Sequence, residues 1–264
     1  MLSALLNALP MEAWNLITRF GEAQLMLPTG LALVAWLAWC GQRRSAVLWL
    51  SLLGVAVALT TATKIAFIGW GIWIASLNFT GISGHAMHSA AVFPLLMRCF
   101  TASSSPRTQQ LAVLAGYMVA ALVAVSRVAV TAHTPPEVLA GFALGGAASG
   151  LALRYGTVPH HHLPRWLLGV LVGALFINPA AAPSLPTHDM VTRVALWLSG
   201  HERPYTRNMM LRRERLKQKA LEAGQAALSP PARPPVVERP AVPDAGTPAY
   251  RASAVVFFTS SITA

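Results

Sequence analysis

The first 200 residues carry only fourteen formal charges, and long apolar runs separate them. Ten are Lys or Arg, and the four acids are Glu12, Glu22, Glu137 and Asp189. The whole chain of 264 residues is 55% hydrophobic and 11% charged, whereas soluble domains carry roughly 25% charged residues. So few charges cannot cover a water-exposed surface, and the pattern predicts a domain that crosses a membrane several times. It excludes a soluble enzyme, a disulfide scaffold and a repeat protein.

The formal net charge is +11, but the sequence does not predict a nucleic-acid partner. The basic residues lie in short loops and in the tail, without the interleaved aromatics of a nucleic-acid surface. Cys40 and Cys99 have no metal-ligand spacing, and Asp and Glu form no cluster, so we expect neither a metal nor another cofactor. The first basic residue is Arg19, so we expect no cleaved signal peptide.

Six apolar stretches predict an all-α fold, a polytopic membrane bundle of about six transmembrane helices. They are residues 23–40, 46–63, 84–97, 111–131, 135–153 and 166–182. A bilayer core needs roughly 20 helical residues, so the third stretch is short. The segment 65–82 is apolar but contains Gly69, Gly71 and Gly81. We expect it to be re-entrant or interfacial, because irregular backbone at membrane depth is stable only inside protein or beside water.

The expected organisation has four parts. These are an N-terminal interfacial segment at 1–22, the transmembrane domain at 23–182, interfacial and basic helices at 183–223, and a disordered Pro/Ala-rich tail at 224–264. Apolar residues between Met190 and Leu198 share one helical face, which predicts a helix lying at the membrane surface. A short basic helix at 212–221 is expected to follow it.

Short basic loops predict the orientation. Three loops share one side of the bundle and contain six arginines and no acid: Arg43, Arg44, Arg98, Arg107, Arg154 and Arg165. Such loops face the cytoplasm, which places the N-terminus, the tail and the 64–84 connection on the other side. We therefore expect an integral protein of a bacterial inner membrane, with its site and tail facing the periplasm.

Ionisable and small polar residues gather at the outward ends of the predicted spans. They are Lys64 after the second span, Ser83, Gly84 and His85 at the third, Ser126 and Arg127 near the end of the fourth, and His133 to Glu137 at the fifth. Each ionisable group at membrane depth costs about 2.5–3.5 kcal/mol on insertion scales, so a cluster requires mutual pairing or a shared ligand. Two cations and two imidazoles predict an anion site, and phosphate is the obvious anion.

The spacing inside this cluster favours catalysis. Thr134 can cap the fifth helix, which places Glu137 one turn beyond His133. The carboxylate can then bind one imidazole nitrogen and leave the other as a nucleophile. Residues 83–85 begin a helix whose first N–H groups can bind an anion, and His85 could protonate a leaving oxygen.

These residues resemble the second and third signature motifs of the type-2 phosphatidic acid phosphatase family, which includes membrane lipid phosphatases and vanadate-dependent haloperoxidases. The matching patterns are Ser83-Gly84-His85 and Ser126-Arg127-x5-His133-x3-Glu137. The resemblance implies that His133 forms a phosphohistidine and that His85 protonates the leaving group. It also implies that Arg127 and Lys64 neutralise the phosphate oxygens, with Ser83, Gly84 and Ser126 in the substrate-binding set.

Two positions depart from the family pattern. The third motif usually ends in Asp where this chain has Glu137, and the longer carboxylate can still orient the imidazole. The first motif is Lys-x6-Arg-Pro, whereas the seventh residue after Lys64 is Gly71. Either the site binds a smaller or less charged group, or a tail arginine replaces the missing one: Arg193, Arg203 or Arg207. In the second case the segment after residue 190 covers the site, and otherwise it is a membrane anchor.

Structural explanations stand beside the functional ones. Arg127, His133 and Glu137 could form an ion cluster that ties the fourth and fifth helices together, and Lys64 could snorkel from the end of its span. His88 is interpreted as a satisfied interior histidine rather than a pocket residue. Gly141-x3-Gly145 and Gly146-x3-Gly150 predict close helix packing and no chemistry.

The sequence as a whole predicts an integral membrane phosphatase that hydrolyses a lipid phosphate monoester or pyrophosphate on the non-cytoplasmic face. Its expected partners are a phosphorylated lipid and the bilayer, and the oligomeric state is left open. Candidate substrates are undecaprenyl diphosphate, phosphatidic acid, phosphatidylglycerol phosphate and lipid A phosphate. Two alternatives stay open: a lipid phosphotransferase of the same family, and a catalytically inactive envelope protein that binds lipid headgroups.

Overall fold

The computed structural model describes residues 9–159 and 187–228, and these residues are mainly helical. The helices are α1 (Met11–Arg19), α2 (Ala23–Trp39), α3 (Arg43–Trp70), α4 (Gly84–Phe100), α5 (Pro106–Ala129), α6 (Pro135–Tyr155), α7 (Thr187–Ser199) and α8 (Arg207–Leu228). A short 3-10 turn, Ala75–Leu77, lies between α3 and α4. The described ranges contain no strand beyond one isolated bridge between Ile74 and Phe79, which confirms the all-α prediction.

Within residues 9–159 and 187–228, four helical stretches are long and apolar enough to cross a membrane: Met11–Trp39, Arg43–Trp70, Pro106–Ala129 and Pro135–Tyr155. Large apolar side chains on the outer faces of α3 and α5 are exposed, among them Val55, Leu59, Leu114 and Met118. Lipid rather than water suits such faces, and the chain is an integral membrane protein. The predicted sixth span, 166–182, lies outside the described residues, so a count of six stays a prediction.

Helix α4 lies at the centre of the bundle and packs against α2, α3, α5 and α6. Thirteen of its 17 residues are buried. The surrounding helices therefore stabilise α4 inside the bundle, although it is short for a membrane span. Its neighbours approach through glycines, because a Cβ on Gly141 or Gly145 would collide with the backbone of Ser83 or Met87. The predicted packing role is therefore confirmed for Gly141 and Gly145, which fix the N-terminus of α4 against α6. It is wrong for Gly146 and Gly150, where a Cβ would lie at ordinary contact distance, 3.7 and 3.6 Å, from Tyr117.

The connection between the second and third predicted spans differs from the expectation. Helix α3 continues to Trp70 instead of stopping at residue 63, because residues 65–70 are apolar and remain in the helix. It ends where Gly71 adopts a left-handed conformation with φ +67°. The expected re-entrant or interfacial segment at 65–82 is thus wrong for residues 65–70, and Lys64 lies inside the helix, more than one turn before its end.

The C-terminal helices differ from the predicted boundaries. Helix α7 contains the amphipathic stretch and packs on α3, with the backbone of Ala195 against Gly69. Helix α8 begins at Arg207 and ends at Leu228, so it is longer than the predicted helix at 212–221 and includes residues 224–228 of the expected disordered tail. The chain divides into two compact units, 1–219 and 220–264. The described part of the second unit is the helical stretch 220–228, and the rest of the tail lies outside the described residues.

Candidate active site

A tight turn between α5 and α6 positions two of the predicted site residues. The carbonyl of Arg127 accepts hydrogen bonds from the backbone N–H groups of Ala132 (3.1 Å) and His133 (3.2 Å). Thr131 closes the turn at φ +54°, a conformation that is costly for a β-branched residue and is found mainly where the surrounding structure imposes it. The turn therefore holds His133 directly before Thr134, the residue that caps the N-terminus of α6.

Glu137 fixes the imidazole of His133. The Nδ1 atom of His133 lies 2.8 Å from Oε2 of Glu137, and the same oxygen accepts the N–H of Thr134 at 3.1 Å. The side chain of Glu137 is fully buried, whereas that of His133 is 16% exposed. An imidazole that donates through Nδ1 carries its lone pair on Nε2, so the arrangement leaves Nε2 available for a substrate.

The environment keeps His133 neutral. Burial lowers the pKa of His133 below its usual value, and the charges of Lys64 and Arg127 act in the same direction. The hydrogen bond and the charge of Glu137 oppose them without reversing the effect. A neutral imidazole at pH 7 is the form that can act as a nucleophile.

The other oxygen of Glu137 binds residues from two distant parts of the chain. Oε1 accepts the backbone N–H of Thr80 at 2.7 Å and its hydroxyl at 2.6 Å. It also accepts Nη2 of Arg207 at 2.6 Å, and the same Nη2 donates to the hydroxyl of Thr80 at 2.9 Å. Two hydrogen bonds on Oε2 and three on Oε1 hold this buried carboxylate in one orientation.

Lys64 and the start of α4 form the second side of the site. The Nζ atom of Lys64 lies 3.5 Å from the position that a Cβ on Gly84 would take, so the ammonium sits beside the N-terminus of this helix. The backbone N–H of Ser83 donates to the carbonyl of Glu137 at 3.0 Å, which ties α4 to α6. The hydroxyl of Ser83 is buried and has no partner among the described residues.

Arg127 is held from the N-terminal helix. Its Nη1 donates to the hydroxyl of Thr18 in α1 at 2.7 Å, while its Nε is buried without a partner among the described residues. A buried guanidinium N–H without an acceptor is costly, and a bound anion would satisfy it. Ser126 is fully buried, and its hydroxyl donates to the carbonyl of Val123 within α5. Its substrate-binding role therefore stays a prediction.

His85 lies in the first turn of α4 and interacts electrostatically with Arg127, Lys64 and His133. The N-terminal segment approaches His85 closely at Gly21, because a Cβ on Gly21 would stand 2.9 Å from the Cβ of His85. His88 is buried one turn further on, as expected for an interior residue, but its Nε2 has no partner among the described residues. The prediction that His88 is an interior residue is therefore confirmed, but the prediction that its hydrogen bonds are satisfied is wrong for Nε2.

The structure thus brings together Lys64, Ser83, Gly84, His85, Arg127, His133 and Glu137. It adds two residues that the sequence did not indicate, Thr80 and Thr18, because a single threonine in a loop or in an amphipathic helix carries no signal. Among the three tail arginines considered from the sequence, Arg207 reaches the site, whereas Arg193 and Arg203 are exposed.

Comparison with known proteins shows which family the chain belongs to. The family model of the PAP2 superfamily matches residues 68–161, a range that contains residues 83–85, Arg127, His133 and Glu137 and begins after Lys64. An uncharacterized 22.5 kDa protein in the cps region of Klebsiella pneumoniae is 34% identical over 199 residues, which are 74% of this chain and 95% of that protein.

The chain belongs to the PAP2 superfamily. A solved structure, the first transmembrane PAP2-type phosphatidylglycerolphosphate phosphatase from Bacillus subtilis, is similar at 22% identity and a TM-score of 0.45, over 58% of this chain and 81% of that chain. Membership of the superfamily and the apolar helices support a phosphatase-type function on lipids.

Proposed function

We propose that this PAP2 protein is a membrane phosphatase that hydrolyses a lipid phosphate monoester or pyrophosphate through a phosphohistidine. The observation that carries the proposal is the contact between Nδ1 of His133 and the fully buried carboxylate of Glu137 at 2.8 Å. It fixes the tautomer that presents Nε2 as a nucleophile beside Lys64 and Arg127.

In the first step, Nε2 of His133 attacks phosphorus, and the bond between phosphorus and the lipid oxygen breaks. The negative charge of the bound phosphate favours the protonated form of His85. His85 gives this proton to the departing oxygen, so that the lipid leaves as an alcohol or as a shortened phosphate. The imidazole gains positive charge as the P–N bond forms, and the carboxylate of Glu137 stabilises that charge through Nδ1.

In the second step, water attacks the phosphorus of the phosphohistidine. His85, now neutral, takes a proton from this water, the P–N bond breaks, and inorganic phosphate leaves. His133 and His85 return to their starting protonation states, so the two steps balance without another reactant.

Charge neutralisation supports both steps. Lys64 and the first N–H groups of α4 approach the site from one side, and Arg127 offers a buried Nε without a partner among the described residues from the other. Groups fixed in this way stabilise the charge on the phosphoryl oxygens without reorganising during the reaction.

We also propose that the site faces away from the cytoplasm, in a bacterial inner membrane. The site residues lie at the C-terminal ends of α3 and α5 and at the N-terminal ends of α4 and α6. The opposite ends of these helices carry the arginines of the short basic loops, such as Arg43, Arg98 and Arg154. Basic loops of this length favour the cytoplasmic side, which supports a periplasmic site.

The test is phosphate release by the purified protein in detergent from a panel of lipid monophosphates and diphosphates, beside His133→Ala and His85→Ala. His133→Ala should reduce activity to background, and His85→Ala should reduce kcat by about 10²–10⁴-fold, the range for loss of a general acid. Arg203→Gln, an exposed change near the site, is the matched control and should keep full activity. Equal phosphate release by all four proteins would show that the proposed chemistry is wrong.

A further inference from the structure

The segment 201–207 is bound to the C-terminal end of α3. The last carbonyls of a helix have no partner within it, and here two of them are used by this segment. Nδ1 of His201 lies 2.8 Å from the carbonyl oxygen of Gly69, and the backbone N–H of Tyr205 donates to the carbonyl of Ile68 at 3.0 Å. These bonds dock residues 201–205 directly beside the loop that carries Thr80.

Tyr205 packs on Gly71, the position at which the chain departs from the first motif. A Cβ on Gly71 would stand 2.9 Å from Cδ1 of Tyr205, so the aromatic ring occupies the space where any larger residue would begin. The ring adjoins a small apolar cluster that includes Phe67, Ile68 and Met210. Hydrogen bonds and packing therefore both determine where the chain enters α8.

Arg207 follows two residues after this anchor and reaches the buried carboxylate. Its Nη2 binds Oε1 of Glu137 at 2.6 Å, while His133 binds Oε2 of the same carboxylate. The guanidinium and the imidazole therefore bind different oxygens of one carboxylate. This contact lets Arg207 act on His133 through Glu137.

We propose that Arg207 is a positioning residue that acts through Glu137 on His133, and that the segment 201–207 exists in part to deliver it. The catalytic consequences rest on the phosphatase function proposed above. In this way the segment supplies a cation, Arg207, from a distant part of the chain, whereas Gly71 has no side chain to contribute to the site.

The expected effect follows from charge. The groups that face His133 are Glu137 beside it, Lys64 from α3, His85 from α4 and Arg127 from α5. Arg207 offsets part of the negative charge of Glu137, so its removal leaves a stronger anion beside the imidazole. The pKa of His133 should then rise, and less of the residue is neutral at a given pH.

The first test uses Arg207→Gln, Arg207→Lys and Arg203→Gln in the full-length protein. Arg207→Gln should lower kcat by about 10-fold, the size of a lost charge-assisted hydrogen bond, with little change in KM. The acidic limb of its kcat/KM profile should move up by about 0.5–1 pH unit, as expected for one charge at this range. Arg207→Lys should restore the limb, and Arg203→Gln, exposed in the same segment, should match the wild type.

The second test does not require activity. Histidine labelled with ¹⁵N reports the titration of His133 by NMR in detergent, with the signal assigned through its loss in His133→Gln. The titration midpoint should be higher in Arg207→Gln than in the wild type and normal in Arg207→Lys. If the wild type releases no phosphate, the proposed function fails, while this titration still decides whether Arg207 acts on His133.

Three results would overturn the proposal. The first is no change in any reading, and the second is a change in KM alone, which would mean that the guanidinium binds phosphate directly. The third is an equal loss of kcat in Arg207→Gln and Arg207→Lys with an unchanged His133 titration, which would reveal a role in folding only.

Discussion

The two halves of the site are built in different ways. The local half, residues 127–137, is formed by one turn and the first turn of α6, and its main bonds join residues at most six positions apart. The long-range half consists of Lys64, the loop at 71–83 and the segment 201–207, and Thr80 and Arg207 reach Glu137 across 57 and 70 positions. His133 and the carboxylate that orients it thus come from one turn and the start of one helix, whereas the groups that hold this carboxylate come from the rest of the chain.

The largest effect on activity is expected at Glu137, where residues of the two halves bind the same carboxylate. Glu137→Gln should lower kcat by about 10³–10⁴-fold, because the amide cannot enforce the Nδ1–H tautomer and cannot stabilise the charge on the imidazole. Glu137→Asp keeps the charge on a shorter side chain and should keep more activity. The measurement is kcat on the best lipid phosphate of the panel, and a Glu137→Gln enzyme with more activity than Glu137→Asp would contradict the assigned role.

A smaller effect is expected at Thr18, which supports the local half from outside. Thr18→Val removes the hydroxyl that accepts from Nη1 of Arg127, and kcat/KM should fall by roughly 10-fold, the lower range for a hydrogen bond to a charged group. Thr18→Ser keeps the hydroxyl and is the matched control. If both variants behaved like the wild type, Arg127 would need no support from α1.

The smallest effect is expected at Gly71, which belongs to the long-range half. Gly71→Ala adds both a left-handed alanine, which costs about 1 kcal/mol, and a contact that displaces Tyr205. Gly41→Ala carries the same backbone cost at φ +82° with open space around it, so it is the matched control. Thermal unfolding should show a loss of stability in both variants, larger in Gly71→Ala because of the Tyr205 contact, and only Gly71→Ala should also lower kcat, by a few fold. Equal kcat values for the two variants would show that the packing of Tyr205 on Gly71 does not affect catalysis.

The same division explains what the sequence could predict. The spacing of Arg127, His133 and Glu137 is set by one turn and one helical period, so it can be read from the chain directly. The helical spans are likewise local, since they depend on apolar runs. Helix α3 nevertheless extends seven residues past the predicted end, because Lys64, which the sequence suggested as the end of the span, lies inside the helix.

Contacts between distant segments could not be predicted in this way. Thr80, Thr18 and Arg207 meet the site only through the packing of α1, α3 and α8 around it, and nothing in their local sequence distinguishes them. The sequence offers three tail arginines as candidates, and the direction of α8 after Tyr205 determines that Arg207 is the one that reaches the site. Ser126 matched the motif by position, yet its hydroxyl is used inside its own helix.

The most direct test of the account is to trap the covalent intermediate. Acid-free quenching of the enzyme after mixing with ³²P-labelled substrate, followed by peptide mapping, should give one base-stable, acid-labile phosphopeptide that contains His133. The label should be absent in His133→Ala and much reduced in Glu137→Gln. A label on any other residue, or rapid turnover of the wild type without a phosphoenzyme and with an active His133→Ala, would contradict the account.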